Sequence, residues 1–219
     1  VRRNGVEASQ NQKALAANQA QLDRDSKELA VFKAKLEKFK TAFANRDASQ
    51  VKSLKASILS DMQREIEQSE NKIAQDRREV AQSQAETTSS VRESKRSRYD
   101  RATPDGDIGD SRDVRNDRRD TRDDQRDTRD DKNDLGQQVS RTQRQKEIYA
   151  AIKLFNFSFE ASLQQKATAN ITLMQEFAFT MEKDIAATKA EIAEDKREAL
   201  EDSRERREDL REVRERRRN

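Results

Sequence analysis

RATPDGDIGD, residues 101–110, decides the fold. It holds the only Pro and two of the four Gly in a chain of 219 residues. Pro104-Asp105-Gly106 is a strong turn signal, because Pro presets φ and Gly tolerates a positive one. Asp110 or Ser111 then suits the N-cap of a following helix. The stretch lies near the middle of the chain. The expectation is a fold-back into two arms of similar length, residues 1–100 and 111–219, joined by a loop at 101–110.

Composition says what the arms are made of. Only 32% of residues are hydrophobic and 41% are charged, too few apolar side chains to fill a globular core of this length. Disorder and long thin helical assemblies remain. A net charge of +3 is low for a disordered chain, and scarce Gly and Pro favour helix. The fold class expected is therefore all-α: a long antiparallel coiled-coil hairpin, laterally associated into a higher-order assembly.

Working outward from the loop, the first arm carries Leu15, Leu22, Leu29, Leu36 and Phe43 at steps of seven, with Phe32 and Phe39 between them. That is a heptad seam, with polar interruptions at Asn18 and Asp25. The step then lengthens to eight, from Phe43 to Val51, skipping Asp47. Leu54, Ile58, Met62, Ile66, Ile73 and Val80 follow, and the seam fades through Gln84, Thr87 and Ser94. One long helix is expected over residues 7–98, bent near 45–50. The second arm begins with an Arg/Asp segment at 112–134. After an isolated Gly136 comes an apolar seam at 148–192: Ile148, Ile152, Phe155, Phe159, Leu163, Ala167, Ile171, Met174, Ala178, Met181, Ile185 and Ile192. A charged helix over 193–219 ends in arginines, which suit the negative end of the helix dipole. Each arm would be roughly 150 Å long if unbroken.

Folding the chain back about Asp105 sets Leu36 opposite Gln175, Phe32 opposite Phe179, and 51–58 opposite 153–159. The irregular step at 43–51 then faces 159–171, where the seam also departs from strict heptads. Two helices in one antiparallel pair have reason to depart together. As a helix, FNFSF (residues 155–159) would spread Phe155, Phe157 and Phe159 around its circumference, beyond the cover of one partner. Phe177 and Phe179 point about 200° apart. These five aromatics are expected to make lateral contacts with further copies.

RRDTRDDQRDTRDD, residues 118–131, keeps the seven-residue period without an apolar residue. Arg112, Arg115, Arg119, Arg122, Arg126 and Arg129 form one stripe. Asp113, Asp117, Asp120, Asp124, Asp127, Asp131 and Asp134 form another, about 100° around the helix. Asp124 meets Asp120, Thr121, Asp127 and Thr128 at three- and four-residue spacing, so no cation on its own helix serves it. In the folded-back register Asp113 lies near Arg98 and Asp120 near Arg92, while Asp124 and Asp127 face uncharged Thr87 and Gln84. The expectation is an ionic seam, in which Asp124 and Asp127 meet Arg122 and Arg126 of a neighbouring copy.

Other chemistry is thin. Without Cys or His there are no disulfides, thiolate sites, zinc sites of the usual kind or His-based triads. DGDIGD spaces Asp105, Asp107 and Asp110 like a calcium loop, but Asp110 stands where such a loop needs Gly and Asn116 where it needs Glu. No phosphate-binding Gly loop is present. No enzyme activity, cofactor, metal or small-molecule substrate is expected. The expected role is structural and self-assembling: a filament, sheath or scaffold component whose partners are copies of itself or other helical subunits. The alternatives are a coiled-coil adaptor on an anionic surface, membrane or nucleic acid, and a helical spacer in a larger complex. Arg2-Arg3 and the C-terminal arginines could meet phosphates. However, Glu and Asp interleave with the latter, and no aromatic offers a stacking platform. No apolar run is long enough to span a membrane, and no secretory signal is visible. The absence of Cys and a first residue that is not Met lean towards an extracytoplasmic location.

Overall fold

The computed structural model describes residues 2–101 and 108–216, with side-chain detail for most positions between Leu15 and Arg207. Among these residues the chain is all-α. Its four long helices are α1 (Arg2–Ala44), α2 (Ala48–Arg101), α3 (Ile108–Leu154) and α4 (Gln164–Arg216), with a 3₁₀ turn at Ala161–Leu163. Among the described residues no helix is long and apolar enough to cross a membrane. The expected turn at Pro104-Asp105-Gly106, and with it Asp107, lies outside the described residues. Helix α3 already starts at Ile108, so Asp110 and Ser111 lie inside it and do not cap it.

Two breaks replace the expected continuous arms. The first is a sharp turn at residues 45–47. Asp47 N–H donates to the Ala42 carbonyl at 2.9 Å and Arg46 N–H to that of Phe43 at 3.1 Å. This is the Schellman pattern of a helix end. Its left-handed residue is usually Gly; here it is Arg46, at φ 55°. Asp47 then starts α2, accepting the Gln50 backbone N–H at 2.9 Å on its carboxylate. The expected bend at 45–50 is therefore a full helix stop and restart. The second break, at residues 155–160, was not expected, because FNFSF contains neither Gly nor Pro. Lys55 reaches across from α2 and donates to the carbonyls of Lys153 at 3.2 Å and Phe155 at 2.6 Å. A lysine from another helix thus closes the C-terminal end of α3.

The chain divides into two compact units, one of residues 1–61 with 151–219, the other of residues 62–150. In the first unit α1 runs antiparallel to α4. Phe32 packs on Phe177 with ring centroids 5.5 Å apart, Lys33 pairs with Glu182, and Asn18 donates to Asp195 at 3.2 Å. Leu22, Ile185 and Ile192 form one core cluster, flanked by Leu15 and Leu29. The start of α2 turns back along α1. Lys35 and Asp61 are 26 residues apart in sequence yet form an ion pair at 2.5 Å. A continuous helix would hold them about 39 Å apart. The first arm is therefore not one rod.

This doubling back explains the depth of the core. Phe39, Ile58, Ile152, Met174 and Phe177 are all 0% exposed. A pair of helices leaves its seam residues open at the sides. Here α1, α4, the first turns of α2 and the last of α3 share one interior. Each fully buried side chain of this size contributes roughly 1.5–3 kcal/mol.

In the second unit, α2 and α3 run antiparallel. Tyr149 lies against Gln63, Lys146 pairs with Glu70 at 2.6 Å, and Ser69 donates to Gln145 at 3.2 Å. Farther along, Ser83 meets Asp131 and Ser90 meets Asp124. These pairings agree to within about one turn with a fold-back about Asp105.

Candidate functional site

The interior of the second unit is unusual for a helical pair. Apolar residues hold its ends, with Met62, Ile66 and Ile148 at one and Val114 at the other, and Val80 stands alone midway along α2, all buried. Between them the buried positions are polar: Ser69, Ser94, Thr128, Gln138, Thr142 and Gln145. On α2, Ser83, Thr87, Ser90 and Ser94 recur by three and four. On α3, Thr121, Asp124, Thr128 and Asp131 do the same. These are the seam positions of two facing helices.

Hydroxyls do the pairing. Ser83 donates to the carboxylate of Asp131, and Ser90 to that of Asp124. Thr87 donates to the backbone carbonyl of Asp124 at 3.0 Å, and Thr128 to that of Ser83 at 3.1 Å. The Thr121 hydroxyl donates to the Asp117 carbonyl of its own helix at 2.6 Å, with the Ser90 carbonyl 3.2 Å away across the seam, and the Thr87 and Thr128 hydroxyls lie 2.8 Å apart. The result is a ladder of rungs linking α2 to α3. Hydrogen bonds to an ionised carboxylate contribute about 1.5–3 kcal/mol each. The seven-residue repeat persists because facing positions must still recur. Only their chemistry has changed, from apolar to hydroxyl and carboxylate.

Within one chain, Asp124 is thus not left facing only an uncharged Thr87. Asp124 has its partner inside the chain, and that partner is a serine. Asp117, one repeat earlier, has a buried carboxylate oxygen, Oδ2, without a hydrogen-bond partner. The side chains of Asp113 and Asp120, expected near Arg98 and Arg92, lie outside the described residues.

The outer faces of α3 carry the remaining charge. Arg119, Arg122, Arg126, Arg129, Asp127 and Asp130 are exposed. Arg126 pairs with Asp123 at 3.1 Å, but both remain open to solvent, at 68% and 48%. Such a pair is worth about 0–1 kcal/mol. Partial burial, and then the neighbouring Asp123, Asp124 and Asp131, push the Asp127 carboxyl above the ordinary carboxylate range, with Arg126 opposing. On α2, burial raises Asp76 likewise. Glu79 and Asp134 add to the rise, against Lys72 at 3.1 Å.

The five aromatics are placed differently from the expectation. FNFSF is not helical, so its rings do not encircle a helix. Phe157 packs edge-on against Phe39 at 4.9 Å, Phe43 at 5.9 Å and Phe155 at 4.8 Å. Phe159 packs on Phe43 at 5.5 Å. Phe177 is fully buried against Phe32. The geometric reason for assigning these four to contacts between copies is thereby removed. Phe179 alone stands out, half exposed with the Lys183 ammonium 5.0 Å from its ring centre.

Among the described residues, no group of three or more acidic side chains is placed to hold a metal ion. Protein-family models, curated proteins and solved structures give no match to this chain.

Proposed function

We propose that the chain is a structural, self-assembling helical protein, a filament, sheath or scaffold component. In this reading α2 and α3 form an antiparallel coiled coil whose outer face docks on further copies. The observation that carries it is the division of labour on α3. Threonines and alternate aspartates are turned inward to serines of α2. Arg119, Arg122, Arg126 and Arg129 form an exposed stripe, with Asp127 and Asp130 exposed beside its C-terminal half. Two neighbouring stripes of opposite sign can each face the opposite stripe of a second copy. Each exposed pair contributes little. A row still selects register, because a shifted register sets like charges together.

The test is a charge exchange with rescue. Asp127→Lys with Asp130→Lys should abolish assembly at low salt, as read by sedimentation velocity. Adding Arg122→Glu and Arg126→Glu should restore part of it. Asp124 is left alone, because changing it breaks the rung to Ser90. Assembly identical to the parent in the first variant at every salt concentration refutes the proposal.

A further inference from the structure

The two helix breaks share a property that neither needs for itself. AFANRDASQV (residues 42–51) and IKLFNFSFEASLQQ (residues 152–165) contain no Gly and no Pro. Both sequences are compatible with unbroken helix, and Arg46 holds a left-handed conformation that Gly would take without strain. The apolar spacing reaches the first break and resumes after it with one residue of slip. In space the breaks lie side by side, with Phe43 touching Phe157 and Phe159. Residues 48–154 thus join the rest of the chain through two adjacent short linkers. Where this block meets α1 and α4 it buries Val51, Ile58 and Ile152, beside Phe39 and Met174.

We propose that residues 48–154 exchange as one block between two copies, giving a reciprocal dimer in which each chain's α2 and α3 ends cover the other's α1 and α4. Straightening both linkers into helix opens the chain and uncovers Phe39, Ile58, Ile152 and Met174. The one surface shaped to cover that face is its own complement, carried by a second copy. Exchange of an identical element remakes the block's native contacts between chains, at the loss of those the two linkers make in the closed chain, and needs no new interface. Lys35 then pairs with Asp61 of the second copy. Lys33 and Glu182 both lie outside the block and stay paired within one chain. This dimer is independent of the Arg/Asp row.

The test uses the native chain. Normal and ¹⁵N-labelled protein are mixed, unfolded together and refolded over a range of concentrations. A carbodiimide then couples amines to touching carboxylates, and the joined peptides are read by mass. The Lys35–Asp61 pair should appear in mixed-isotope form, increasingly so at higher refolding concentration, while the Lys33–Glu182 pair stays in single-isotope form. Arg46→Gly, which eases the closed turn, should lower the mixed fraction. Single-isotope Lys35–Asp61 peptides at every concentration overturn the exchange. Sedimentation of the same samples separates the two proposals. Particles that grow without mixed peptides reject the exchange and leave the row standing. A mixed-isotope dimer that grows no further supports the exchange and rejects the row.

Discussion

Replacing Phe157 by Ser discriminates an inward ring from an outward one. The side chain is mostly buried, so its transfer term is about two thirds or more of the roughly 1.5–3 kcal/mol for a fully buried Phe. Three edge-on ring contacts, to Phe39, Phe43 and Phe155, add to this. Such contacts contribute about 0.5–1.5 kcal/mol each and are not independent. The expected loss is about 2–3 kcal/mol. For a chain of this length each kcal/mol moves the melting midpoint by roughly 2–4 °C. Thermal melts followed by circular dichroism should therefore show a midpoint lower by roughly 5–10 °C, with native helicity little changed at room temperature. If the variant melts like the parent but forms smaller particles, Phe157 faces outward and the aromatic core described here is wrong.

Three further predictions follow from individual contacts. Lys55→Met removes the donor that closes α3 and should cost about 1–2 kcal/mol in urea melts, since two carbonyls lose a charged partner. Ser90→Ala leaves the Asp124 carboxylate without its rung and should cost about 1–3 kcal/mol, whereas joint Thr87→Val and Thr128→Val removes two neutral bonds to helix carbonyls and should cost about 0.5–1.5 kcal/mol each. Asp76 and Asp127 have folded pKa values above the reference of 3.8, so their contribution to stability is full below that value and is lost as pH rises through the folded values. Melting midpoints should accordingly rise as pH falls from neutral towards about 4.5, and Asp76→Asn with Asp127→Asn should flatten that dependence.

Much of this fold was legible because apolar spacing is a strong signal. Leu22, Phe32, Leu36, Phe39, Phe43, Val51, Ile58, Ile66 and Val80 were read as seam residues, and all are buried. So are Ile148, Ile152, Ala167, Met174, Ala178, Met181, Ile185 and Ile192 on the return path. The fold-back register and the shared irregularity near Phe43 and Phe159 were legible for the same reason. The break at 155–160 was not, since nothing local forbids helix there and the stop is imposed by Phe39, Phe43 and Lys55 from other elements. Phe177 is surplus to a two-helix seam, which has no room for it, and the four-segment core does. The hydroxyl ladder carries no hydropathy signal. Its trace was the three- and four-residue spacing of Ser83, Thr87, Ser90 and Ser94, read only as a fading seam.

Copies of this chain are proposed to meet through the Arg and Asp stripes on the outer face of α3. Sedimentation velocity of the unaltered protein across concentration and salt tests this most directly. The account predicts particles that grow with concentration at low salt and shrink steadily as salt screens the row. One sedimenting species of constant size at every concentration and salt contradicts it.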